Sequence, residues 1–187
     1  MTTRDLVLSA LFAAIIIVLG LIPPVTLGFI PVPITAQSMG VMLAGTIIGA
    51  RRGALAYVLL VVLVAVGLPV LSGGRGGLNV LMGPTGGYIL GWILGSFATG
   101  YLSERLVRDG QPALVQAAGF FAASVAGGII VVYAIGMPWV SLMTGTPFSK
   151  VIFGSLAFIP GDLLKAAIAT LAARAVMVGY PLLPQRA

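Results

Sequence analysis

The chain has 187 residues, 59% of them hydrophobic and 7% charged, with a net charge of +6 and a mean hydropathy of +1.16. A soluble domain carries roughly 25% charged residues, so this chain lacks the charge to coat a globule in water, and the surplus of cations reads as membrane topology rather than affinity for nucleic acid. It contains no Cys and no His, which removes thiolate, disulfide and imidazole chemistry.

Stretches free of Asp, Glu, Lys and Arg run over 6–50, 53–74, 76–103 and 110–149. A membrane-crossing helix needs about 20 mostly apolar residues. The runs are solidly apolar rather than alternating, which argues against an outer-membrane barrel. The expectation is therefore an all-α integral membrane protein forming a single domain over 1–187, with six transmembrane helices in a lipid bilayer.

The first predicted span is 6–22, ending at Pro23-Pro24. It lacks a convincing cleavage site and leads into further apolar runs, so it reads as a span and not a removable signal. Ala10 and Ala14 form a small-xxx-small pair on it, flanked by Ser9 and Ala13; such a strip serves either internal packing or the docking of another protein. "PPVTLGFIPVPIT" (23–35) holds four prolines and no charge, too broken for a helix, and is expected to dip back toward the membrane. Thr35 and Gln37 open the second span, 35–50, as caps or as pocket polars, and Arg51-Arg52 stop it.

The third span is 54–71. "GGRGGLNVLMGPTGG" (73–87) follows, with seven glycines in fifteen residues. Its one side-chain amide, Asn79, offers a donor and an acceptor to a ligand, or caps its own turn; Arg75 is a ligand gate or a solvated loop charge, and reads as the latter. Tyr88 opens the fourth span, 87–104, as an interfacial anchor or a pocket wall. Gly83, Gly87, Gly91 and Gly95 recur every four residues there, as do Gly45 and Gly49 in the second span, a pattern for close helix packing. The fifth span is 112–136, the connector 137–149 contains two prolines, and the sixth span, 150–178, is interrupted by Pro160.

Six spans put both termini on one side. Arg4, Arg51, Arg52, Arg105, Arg108, Arg174 and Arg186 fall at one face, against Arg75 and Lys150 at the other, so the termini are expected to be cytoplasmic. The long Gly- and Pro-rich connections then lie outside, where irregular backbone can line a cavity.

"FIPGDLLKAAIA" (158–169) places Asp162 and Lys165 inside the sixth span. An ionised group at mid-membrane costs roughly 2.5–3.5 kcal/mol on translocon scales and commonly marks function. At i and i+3 the two share a helix face. They either neutralise one another as a structural pair or hold different groups of a ligand, with Lys165 facing a carboxylate and Asp162 accepting from N–H groups. Pro160 frees a backbone carbonyl and is expected to bend the helix and open the site. The phosphate-binding pattern G-x-x-x-x-G-K-[ST] is absent, no nucleophile elbow occurs, and a metal site is improbable from this residue set.

"GGLNVLMGPTGGYILGW" (76–92), "PVPIT" with Gln37, and "PGDLLK" (160–165) together resemble the BioY family, the biotin-specific S components of energy-coupling factor (ECF) vitamin transporters. The resemblance covers nearly the whole chain. It implies a six-helix S-component fold in a prokaryotic cytoplasmic membrane, binding biotin near the outer face and performing no catalysis, without a cofactor of its own. It implies that Asn79 and Asp162 contact the ureido ring, that Lys165 serves the carboxylate end, and that Gly83, Thr35, Gln37 and Tyr88 are pocket neighbours. It further implies that Ala10 and Ala14 dock a transmembrane coupling protein, itself joined to ATPase subunits that hydrolyse ATP. The sequence leaves open whether copies of the chain associate. Biotin suits the residues: a urea head, an apolar body and a carboxylate tail ask for an apolar pocket with a few polar groups. The alternatives are an S component for another vitamin, an intramembrane enzyme using Asp162 and Lys165 as acid and base, and an ion-coupled carrier.

Overall fold

The structure, a computed structural model, describes residues 2–29, 31–180 and 182–184; Arg186 of the charge tally lies outside them. Its regular secondary structure is helical, and the described residues form only two isolated antiparallel bridges, Val25 with Ile34 and Leu71 with Arg75. The helices are α1 (Thr3–Leu19), α2 (Gln37–Ile48), α3 (Ala50–Ala65), α4 (Leu78–Met82), α5 (Gly86–Leu106), α6 (Ala113–Val125), α7 (Val132–Thr144), α8 (Phe148–Ser155) and α9 (Ile159–Gly179). A π-turn, Ala126–Val131, joins α6 to α7, and a 3₁₀ turn, Leu156–Phe158, joins α8 to α9. The joined stretches Ala113–Thr144 and Phe148–Gly179 are each long and apolar enough to cross a bilayer.

Polarity is distributed inside out. Leu114, Leu142 and Val178 are 81%, 78% and 77% exposed, whereas Gln37, Ser96, Ser103 and Ser124 are 0% exposed. In water this arrangement would waste hydrophobic area and strand hydroxyls; in lipid the apolar belt is solvated by acyl chains and the polar groups are kept inside. Interior hydroxyls partly satisfy themselves on their own helices: Thr46 Oγ1 donates to the Met42 carbonyl at 2.7 Å and Ser103 Oγ to that of Thr99 at 2.8 Å.

Helix α5 is central, packed by α2, α3, α6, the π-turn and α7. Its small residues permit that. A Cβ on Gly87 would collide with Trp139, one on Gly95 with Val132 and Gly127, and one on Gly100 with the backbone of Ala50. Gly83 stands outside the helix, so the four-residue ladder begins at Gly87. Gly49 is likewise no packing residue inside a helix: at φ 84° it breaks the chain between α2 and α3. That glycine, rather than Arg51-Arg52, ends the second helix, and both arginines lie within α3.

One further boundary departs from the sequence reading. Most of the expected connector 137–149 is helix, because α7 runs through Pro138 to Thr144; proline inside a bilayer helix is tolerated where neighbours re-satisfy the freed backbone. The sixth expected span is interrupted next to Pro160, by the 3₁₀ turn Leu156–Phe158 that precedes it. Pro160 occupies the first turn of α9, where its missing N–H has no partner to lose. The 23–35 segment is non-helical in its described residues, and Val25 and Ile34 exchange backbone hydrogen bonds of 2.9 and 2.8 Å across it.

Candidate functional site

A cleft whose free space, about 610 Å³, runs on into open solvent lies between the 31–38 segment, the Leu71–Arg75 turn and helices α5, α7 and α9. Its walls are mainly apolar and aromatic, including Val32, Ile89, Trp92, Val132 and Phe158.

The polar end is built on Asp162, which is 5% exposed. Its Oδ1 accepts from Lys165 Nζ at 2.8 Å, and its Oδ2 accepts from the Tyr133 hydroxyl at 2.6 Å. Lys165 Nζ also donates to Ser38 Oγ at 2.9 Å, and Ser38 in turn donates to the Thr35 carbonyl at 3.1 Å. One helical turn of α9 thus supplies both charges, while α7 and the start of α2 supply hydroxyls. Buried ions demand such partners, since desolvation otherwise outweighs their attraction. The ion pair and the cavity lining coexist: Asp162 and Lys165 neutralise one another and both face the open space.

Tyr133 and Ser38 were not singled out from the sequence. A tyrosine in a long apolar run was a usable signal, because a buried phenol hydroxyl needs a partner. Its direction depends on the preceding π-turn, which inserts an extra residue per turn and rotates everything after it. Within that turn a Cβ on Gly127 would collide with Thr99 Oγ1 and the Gly95 carbonyl, so the turn packs directly against α5. Tyr133 meets Tyr88 edge-on, ring centroids 5.9 Å apart, and the Tyr88 hydroxyl lies 3.3 Å from Ser155 Oγ.

Gln37 touches the cavity, but its amide is occupied. Nε2 donates to the carbonyls of Ile16 (3.2 Å) and Val70 (3.0 Å), and Oε1 accepts from the Ser72 N–H at 2.9 Å. It is a buried bracket joining the end of α1 to the 70–75 segment. Thr35 and Tyr88 line the cavity as well. Arg75, expected as a solvated charge, lines it too and is half-buried; Nε donates to the Ser72 carbonyl at 3.1 Å, and burial lowers the guanidinium pKa below its ordinary value.

Two residues stand apart. Asn79 is exposed on α4 and does not line the cavity. Gly83 does not line it either; its carbonyl accepts from Trp139 Nε1 at 2.9 Å. Ala10 and Ala14 lie on the exposed face of α1 and do not line the cavity, with Ser9 and Ala13 turned inward.

Residues 1–181 match the model of the BioY family. The chain is 63% identical to the biotin transporter BioY of Rhizobium etli, over all of both chains. It is 46% identical to the biotin transporter BioY of Rhodobacter capsulatus, over 92% of this chain and 93% of that one. A crystal structure of the S-component for biotin from an ECF-type ABC transporter superposes with a TM-score of 0.86, at 34% identity and over 95% of each chain.

Proposed function

The chain belongs to the BioY family, and on that premise we propose that the cavity around Asp162 is where it takes up biotin. It is a transport protein and not an enzyme. The observation that carries the site is the clustering of Asp162, Lys165, Tyr133 and Ser38 at one end of an otherwise apolar cavity. A carboxylate fixed on two sides is a pre-organised acceptor for the two N–H groups of a urea, and Trp92, Phe158 and Val132 suit the apolar ring and chain. Asn79 and Gly83 lie outside the cavity as it stands. Their part in binding requires the α4 segment to fold inward over the ligand.

The proposed topology has six crossings: α1, α2, α3, α5, α6 with α7, and α8 with α9, in a single membrane domain of a prokaryotic cytoplasmic membrane with both ends inside. The cycle then runs from capture outside to inward release, driven by an energy-coupling factor module. In that scheme α1 presents Ala10 and Ala14 to the transmembrane coupling subunit, and partner ATPases hydrolyse the ATP.

Biotin binding to purified variants tests the site. Asp162→Asn removes hydrogen bonds to a charged group, each worth roughly 1.5–3 kcal/mol, so affinity falls about 10- to 100-fold. That exchange also leaves Lys165 buried without a counter-charge. The double exchange Asp162→Asn with Lys165→Met restores thermal stability without restoring affinity. Wild-type affinity in both variants would remove Asp162 from the site.

A further inference from the structure

We infer that the carboxylate of the bound ligand is received by Arg75, while Lys165 serves to balance Asp162; this rests on the reading of the cavity as a biotin site. Three charged side chains line the cavity: two cations, Arg75 and Lys165, and one carboxylate, Asp162, which leaves an excess of one positive charge. An uncompensated charge away from water is costly, and a ligand bearing one negative charge cancels this one. The two cations are not equivalent. Lys165 is committed, its ammonium 2.8 Å from Asp162 Oδ1 and 2.9 Å from Ser38 Oγ. Arg75 has no ion-pair partner among the described residues. The other acids lie elsewhere: Asp5 pairs with Arg52, Glu104 accepts from the Ala50 N–H at the far end of α5, and Asp109 follows that helix.

Arg75 is also held in place. Leu71 and Arg75 exchange backbone hydrogen bonds of 3.0 and 3.2 Å across a turn that Gly73 and Gly74 close at φ 78° and 67°, angles that side-chain-bearing residues rarely adopt. Gln37 anchors the turn through Ser72, and Arg75 Nε is fixed on the Ser72 carbonyl. With Nε tethered, the terminal nitrogens of the guanidinium remain as donors in a planar fork, the geometry that matches a carboxylate.

The test compares biotin with biotinamide, the same molecule with a neutral tail, on purified protein. Wild type binds biotin roughly 10- to 100-fold more tightly than biotinamide, the range expected for a charge-assisted pair. Arg75→Gln abolishes that preference, weakening biotin by the larger factor and biotinamide, whose carbonyl makes only a neutral hydrogen bond, by little; retained biotinamide binding certifies the fold. Arg75→Lys, keeping the charge without the fork, retains part of the preference. Equal loss for both ligands, or no loss for either, would overturn the assignment to Arg75 and leave the cavity reading intact. Wild-type protein binding neither ligand would overturn both.

Discussion

Tyr133 contributes one hydrogen bond, and its placement gives that bond leverage. By holding Oδ2 of Asp162 at 2.6 Å while Lys165 holds Oδ1, it fixes the plane of the carboxylate before any ligand arrives. Preorganisation of this kind raises affinity by removing an ordering cost from the binding step. Tyr133→Phe is therefore expected to weaken biotin binding roughly ten-fold, about the value of one such bond. Because the hydroxyl acts through Asp162, the same exchange in an Asp162→Asn background has no further effect. Additive losses in that double-mutant cycle would show that Tyr133 acts by a separate route. Residue type was enough to single out Asp162 and Lys165, since charges in an apolar run are costly wherever they end up. Tyr133, Ser38 and Arg75 were not legible in the same way, because only the direction of a side chain separates a pocket hydroxyl or a ligand-facing guanidinium from a solvated one.

At the scale of elements, the N-terminal ends of α1 and α3 are joined by a small polar assembly. Arg52 Nε donates to Asp5 Oδ1 at 2.7 Å, a terminal Arg52 nitrogen donates to the Leu182 carbonyl at 3.1 Å, and Ser9 Oγ reaches the Arg52 carbonyl at 3.1 Å. The Asp5 carboxyl also caps α1 by accepting from the Thr2 N–H at 2.8 Å. The Thr2 N–H and the Arg52 guanidinium together hold the Asp5 pKa down to about 2 from 3.8. A depressed carboxyl stabilises the fold above its unfolded pKa, and that contribution is lost as pH falls through the folded value. Thermal stability in detergent is thus expected to fall between about pH 4 and pH 2, and Arg52→Met should reduce the drop. An identical acid limb in the variant would exclude the ion pair as its source. The elements themselves were largely readable from the apolar runs, but their ends were not. Gly49 ends α2 through a backbone angle, and α7 continues through Pro138 because its neighbours accommodate the proline; neither fact is a property of local sequence alone.

For the molecule as a whole, the inside-out distribution of polarity is the governing fact, and topology is its open consequence. The chain contains no cysteine, so single cysteines can be introduced without background. Labelling of intact cells with a membrane-impermeant maleimide is expected to modify a cysteine at Gly74 or Gly145 and to spare one at Asp109 or Arg51. The reverse pattern would invert the proposed orientation, and labelling at Gly74 without Gly145 would break the six-crossing count. Composition by itself determined that this chain belongs in a bilayer, and the runs between charges determined its helices, because the cost of exposing backbone and burying charge in lipid applies residue by residue. The same cost marked Asp162 and Lys165 as exceptional. Only the tertiary structure decided what surrounds them. The π-turn over Thr99 brings Tyr133 to Asp162, and the Gln37 bracket sets Arg75 on the cavity wall while Asn79 stays outside it. Those outcomes depend on contacts between segments far apart in the chain, whose direction no local pattern encodes.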